Sequence, residues 1–307
     1  MKTRLNQPRL PQRRTLRVDG VNYLALTGVL ISAFIAGLAA ILVTISIERW
    51  GGLHGGVLAT VPSTIVPAAV GIWLAAATVD EFQAAMAIVP IGLILNAGFL
   101  YLWRVVPPLI PEWNFGIRLT SITVVSLTIW GLFALLSIRG FNLLTTTGIA
   151  PLTIGWLALV VGLIVGFGAT IRHRPAPRGQ NSVSVLTLLM RGVAAAASIG
   201  IAVWLAGLGN PLASGIMSIF PAIFTTSMVA LWLAQGEAVP GGAIGPMMFG
   251  SQSVSLFALL VAICYPMTDS TIEIVFATIG AWIGSVLLIN ATVWYYLKSK
   301  NGKISIP

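Results

Sequence analysis

The sequence predicts an all-α fold, a polytopic membrane helix bundle of about nine transmembrane helices with an inverted internal repeat. Three observations lead there. Of the 307 residues, 57% are hydrophobic and 8% charged, whereas soluble domains hold roughly 45 to 50% apolar residues. The charges gather in short stretches, and the apolar runs between them repeatedly exceed the roughly 20 residues a helix needs to cross about 30 Å of hydrocarbon. A pattern of glycine, proline and tryptophan in residues 55–75 also returns in residues 214–234. A closed β-barrel would satisfy its backbone in lipid too, but its strands alternate apolar and polar positions. The runs here are continuous.

Taken in order, residues 1–20 form a basic tail with Lys2, Arg4, Arg9, Arg13, Arg14 and Arg17. The apolar stretch that follows, from Val21 to about Ile47, is too long for a signal-peptide core and ends in Glu48, Arg49 and Trp50 rather than small residues, so it reads as a retained first span. Apolar length and breaker residues place the spans near 21–47, 55–77, 83–106, 116–138, 149–171, 184–208, 211–234, 240–265 and 272–297. Residues 21–171 make the first membrane half with a connector helix. A polar linker, 172–183, carries Arg172, Arg174 and Arg178 with two prolines. Residues 184–298 make the second half, and 299–307 a basic tail.

The repeat aligns GGVLATVPSTIVPAAVGIWLA (55–75) with SGIMSIFPAIFTTSMVALWLA (214–234) without gaps. Gly56, Pro62, Val70, Trp73, Leu74 and Ala75 meet Gly215, Pro221, Val229, Trp232, Leu233 and Ala234. With one residue of gap, Gly92 and Phe99 meet Gly250 and Phe257. Spans two and seven then correspond with five crossings between them, so the copies face opposite ways. Six positive residues before span one predict a cytoplasmic amino terminus. Nine spans then put the arginines of the linker and Lys298, Lys300 and Lys303 on the opposite face, whereas eight or ten would bring those lysines inside.

Pro62 and Pro67 in span two and Pro221 in span seven lie inside apolar runs, where proline removes a donor and frees carbonyls. Interrupted helices at matching positions of two halves point to a substrate site. The hydroxyls around them, Thr60, Ser63 and Thr64, and Ser218, Thr225, Thr226 and Ser227, line that site or bond back to their own helix. Arg191 in span six is the cation placed in hydrocarbon, facing the pathway or snorkelling to the interface. Asn96, Gln252 and Asn290 are pathway amides or interhelical glue. Gly162 with Gly166 and Gly280 with Gly284 have the spacing for close helix approach. Trp50, Trp103, Trp113, Trp294, Tyr295 and Tyr296 read as interfacial anchors.

Asp80, Glu81 and Glu237 fall in connections after spans two and seven and face water. His54 has no ligand partner at helical spacing, His173 sits in the basic linker, and the lone Cys264 excludes a disulfide framework or thiolate metal site. No phosphate loop, zinc helix or nucleophile elbow is present, and no catalytic pair stands at membrane depth. The chain is expected not to be an enzyme and to need no metal or cofactor.

The net charge of +9 lies in tails and loops, which suits anionic lipid headgroups rather than nucleic acid. The expected partners are the bilayer, those headgroups and a small solute or ion, with a homodimer as a further arrangement.

The segments SGIMSIFPAIFTTSMVALW and GGVLATVPSTIVPAAVGIW resemble the glycine, proline and small-residue pattern of small bacterial membrane proteins of the GlpM type. That resemblance implies membrane location and a four-helix unit in each half, and carries no functional residue. The function expected from the residues is a secondary transporter or permease. The alternative is a non-transporting membrane subunit or scaffold.

Overall fold

The computed structural model describes residues 23–50, 60–111, 113–171, 184–235 and 240–304, and every regular element among them is helical. The first half and connector comprise α1 (Tyr23–Trp50), α2 (Ile65–Ala75), α3 (Val79–Ala87), α4 (Val89–Val105), α5 (Phe115–Thr146) and α6 (Pro151–Ile171). The second half comprises α7 (Val185–Gly207), α8 (Pro211–Ser218), α9 (Ala222–Gln235), α10 (Pro240–Gly250), α11 (Gln252–Cys264), α12 (Thr271–Ser285) and α13 (Ala291–Ile304). A π-helical turn, Val286–Asn290, joins α12 to α13. Among the described residues, seven helical stretches are long and apolar enough to cross a membrane, and Leu26–Leu42 and Ile65–Ala75 are shorter apolar helices.

The outer surface of this bundle suits hydrocarbon. Only 22% of the apolar window of α5 and 17% of that running from α12 into α13 are buried, so Leu135, Leu136, Phe276 and Leu288 present their side chains outward. A soluble protein of this size would leave no such continuous apolar bands facing water. The chain is a helical bundle of the multi-pass, integral membrane kind.

Local chemistry sets the ends. Thr78 accepts the Glu81 N–H at 3.1 Å while Glu81 accepts the Ala77 N–H at 2.9 Å, a capping box that starts α3. Ser270 and Glu273 repeat the device at the start of α12. α5 outruns its expected end at 138 and continues to Thr146, because Arg139 and Asn142 tolerate a helix as well as a loop; Gly148, at φ 92°, ends it. At about 1.5 Å per residue its 32 residues extend roughly 48 Å. Arg118 clamps the turn before it, donating to the carbonyls of Pro107, Ile110 and Pro111 at 2.7–3.0 Å.

α1 and α7, the first helices of the two halves, lie antiparallel. A Cβ on Gly200 would come within 3.3 Å of the Ala33 Cβ, while one on Gly37 would come within 2.9 Å of the Gly192 carbonyl oxygen, so α7 runs backward as α1 runs forward. Such approach needs glycine on both faces. α6 uses the same device: Gly166 sits against the Phe249 backbone, with 2.6 Å from a notional Cβ to its Cα, and Gly155 against Ala87. Gly280 and Gly284 do not pair this way; Gly280 faces open space, and Gly284 has only the Leu260 side chain at 3.8 Å. Trp103 departs from its expected role as an interfacial anchor. Position along the helix puts it near a span end, but its face turns inward, and at 1% exposure it packs against Trp232. Trp113 and Tyr295 are exposed, and Tyr296 packs against Phe167. The Lys298 ammonium lies 4.8 Å from the centroid of the Trp294 ring. The Trp50 side chain lies outside the described residues.

Candidate functional site

Non-helical backbone lies at two places in the bundle. The chain between Thr60 and Thr64 is non-helical before α2 begins, and the chain between Ile219 and Pro221 is non-helical between α8 and α9. Each interruption holds a proline, Pro62 in one and Pro221 in the other. Pro67 breaks nothing: as the third residue of α2 it occupies the first turn, where no N–H is needed. The Pro221 carbonyl accepts the Thr225 N–H at 2.8 Å and so opens α9. Both downstream helices therefore aim their first-turn amides toward the interruption.

Between the interruptions lies a cavity of about 70 Å³, room for a few waters or a solute of a few heavy atoms. Thr60, Ser63 and Thr64 form one wall, Ser218, Ile219, Phe220 and the start of α9 the facing one; Leu93 and Asn96 of α4, Ala195 and Ser198 of α7, and Ser251 and Val254 complete it. Among the described residues, no carboxylate lines it. Asp80, Asp269 and Glu273 are exposed, and Glu81 serves its cap. Among the described residues no three His, Cys, Asp or Glu gather as a metal site. Glu237, His54 and His173 lie outside the described residues.

Of the residues singled out in the sequence, Ser63, Thr64, Asn96 and Ser218 line the cavity, as does Thr60. Pro62, Pro67, Pro221, Thr225, Thr226, Arg191, Gln252 and Asn290 do not. Thr225 and Thr226 bond back to Pro221 and Ala222 of their own chain at 2.7 and 2.9 Å. Arg191 is 8% exposed. Its Nε donates to Thr226 at 3.2 Å and its guanidinium to the Ser227 hydroxyl, which places it one turn along both α7 and α9 from the cavity wall. Gln252 is wholly buried against Gly162, which is where that glycine's lack of a side chain is used. Ser198 and Ser251 drew no notice in the sequence. Ser198 stands two turns from Arg191 on the same helix face, and that spacing is the signal that marks it.

Each non-helical segment is held by a side chain distant from it in the sequence. Asn96 of α4 donates to the Ile219 carbonyl at 2.9 Å, and Ser253 of α11 donates to the Thr60 carbonyl at 3.0 Å. Thr60 and Ile219 are the positions matched by the sequence alignment. The aligned glycines behave likewise: a side chain on Gly92 would strike Ile219, and one on Gly250 would strike Thr60. At the ends, Trp73 packs edge-on against Tyr265 at 5.7 Å and its counterpart Trp232 against Trp103 at 5.9 Å. Phe99 and Phe257 are both buried, and the matched 3₁₀ turns, Pro107–Leu109 and Tyr265–Met267, close α4 and α11.

Compared with known proteins, the chain matches no family model, no curated protein and no solved structure.

Proposed function

We propose that the chain is a secondary transporter or permease for a small solute, built as an inverted repeat in which all nine apolar segments cross the membrane. In this reading the amino-terminal tail is cytoplasmic. One observation carries it: two non-helical segments, at positions matched by the repeat, border a cavity lined by Thr60, Ser63, Thr64, Ser198, Ser218 and Ser251, and each segment is held by a side chain distant from it in the sequence. Irregular backbone at membrane depth persists only around water or protein, and in transporters of this construction it marks the solute site. Reciprocal holding also supplies two arrangements of similar energy. If the cavity opens toward one face by loosening one half from the other's interruption, the pseudo-equivalent movement opens it toward the other face.

The lack of a carboxylate among the described residues of the cavity wall and the nearness of Arg191 favour a solute that carries negative charge or strong acceptors. The chain reconstituted in proteoliposomes is expected to take up at least one of a panel of small anions and polar solutes down a gradient, above protein-free vesicles. The reading fails if no solute on the panel moves although the protein is inserted and folded.

A further inference from the structure

We propose that Trp103 and Trp232 form the gate by which the cavity opens to one face of the membrane, and that the matched cluster of Trp73, Phe82 and Tyr265 is the firmer plug toward the other. The gate's part in transport rests on the reading above; which end opens more readily does not.

From the cavity wall a column of side chains runs toward each end of the bundle. Phe224 lines the cavity, and Met228 and Trp232 follow it at one-turn spacing on the same face of α9. On α4, Asn96 of the wall is followed in the same way by Leu100 and Trp103. Toward the other end, Ile65 of the wall is followed by Ala69 and Trp73 on α2, and Val254 by Ala258 and then Tyr265 at the end of α11. The repeat pairs these columns. The register that matches Trp73 with Trp232 also matches Ile65 with Phe224 and Ala69 with Met228, and the one that matches Phe99 with Phe257 also matches Asn96 with Val254 and Leu100 with Ala258. Leu100, Met228, Ala69 and Ala258 are 0% exposed, and neither Trp103 nor Trp232 exceeds 1%, so both columns are shut in this structure.

The two ends are closed differently. At the plug, the Phe82 and Tyr265 rings stack at 5.4 Å, and Trp73 meets both edge-on at 4.9 and 5.7 Å. The Tyr265 hydroxyl is tied to that of Thr278 at 2.7 Å. The layer beneath is Ala69 and Ala258, side chains with no rotamer through which to move aside. At the gate, Trp103 and Trp232 meet edge-on at 5.9 Å, and the indole N–H of each is buried with no hydrogen-bond partner. The layer beneath is Leu100 and Met228, and methionine is the side chain that adapts most readily to a change of shape. Outside the pair stands only a half-exposed ring, Phe115, 6.4 Å from Trp232.

These differences set the order of opening. A buried donor without an acceptor is costly, and it regains a partner once water reaches it. Opening the gate therefore satisfies two indole N–H groups, whereas opening the plug breaks the tie between Tyr265 and Thr278 and separates three packed rings. Rotation of the two indoles, with rotamer changes at Leu100 and Met228, joins the cavity to the end that α9 reaches. Side-chain and helix movements of this kind gate access to enclosed sites in many proteins.

The test places a reporter, Ser198→Cys, in the cavity wall of the full chain with Cys264→Ser as background. Its modification by membrane-impermeant sulfonatoethyl methanethiosulfonate is timed from each face, in membrane vesicles of either orientation. Without further change the reaction is expected to be slow, and faster from the face that α9 reaches. Trp232→Ala is expected to raise the rate from that face about tenfold and to leave the other face unchanged. Trp103→Leu, in the same gate, decides the matter if Trp232→Ala does not fold. Tyr265→Phe, which removes the tie to Thr278, is expected to raise the rate from the opposite face about threefold. Gate substitutions that leave the rate unchanged, or raise it equally from both faces, overturn the gate, as does a reporter that reacts faster from the plug's face before either is made. An unchanged rate in Tyr265→Phe overturns the plug. A side-specific rise in a protein that moves no solute overturns transport and leaves the gate standing; solute flux with unchanged rates does the reverse.

Discussion

Arg191→Met is expected to leave the protein folded and inserted while reducing uptake of an anionic solute about a hundredfold. The guanidinium is nearly buried and held on Thr226 and Ser227. Those hydroxyls also bond back to Ala222 and Ile223, so removing the cation does not orphan them. Methionine keeps the aliphatic length and spares the desolvation of a buried charge, which is why stability is expected to change by no more than about 1 to 2 kcal/mol. The loss falls on the solute. One helical turn is a rise of roughly 6 Å, and at an effective dielectric near 20 a unit charge at that distance contributes about 3 kcal/mol to binding an anion, or about two decades in affinity. Arg191→Lys retains the charge and should keep most of the uptake. Uptake measured in proteoliposomes, with the unfolding midpoint as the control for folding, separates the outcomes; unchanged flux in Arg191→Met removes this residue from the pathway.

The second large effect concerns architecture. In a Cys264→Ser background, Ala33→Cys with Gly200→Cys is expected to form a disulfide nearly to completion under mild oxidation. A Cβ built on Gly200 lies 3.3 Å from that of Ala33, near the roughly 3.5 to 4.5 Å of disulfides. Ala33→Cys with Leu188→Cys is expected to give none. Leu188 is the counterpart of Ala33 when Gly37 is matched to Gly192, so it is the residue a parallel pairing of α1 and α7 would bring close. Cross-linking read by mobility on a denaturing gel after site-specific cleavage in the 172–183 linker distinguishes the two. Efficient linkage of the second pair would contradict antiparallel first helices.

Much of this was legible in the residues, because lipid imposes simple demands. Runs of apolar residues had to be helices, and proline at matching places pointed to Pro62 and Pro221, which lie in non-helical backbone, and also to Pro67, which does not. What the sequence did not carry was direction. Helix-interior position put Trp103 near an end without saying that its ring faces inward, and the spacing of Gly280 and Gly284 matched that of Gly162 and Gly166 although only the latter pair is closely packed by another helix. The same limit applies to the amides. Asn96, Gln252 and Asn290 look alike in an apolar run, yet one lines the cavity, one packs against Gly162, and one leaves an oxygen unused. Those differences arise from contacts between segments distant in the sequence, where local pattern holds no information.

The central claim is that the matched interruptions belong to halves of opposite orientation. With Cys264→Ser as background, single cysteines at Ala77, after α2, and at Glu237, after α9, are probed in intact cells with a membrane-impermeant maleimide. Labelling of one site from outside, and of the other only after the membrane is opened, is the predicted result. Labelling of both from the same side would contradict the inverted arrangement.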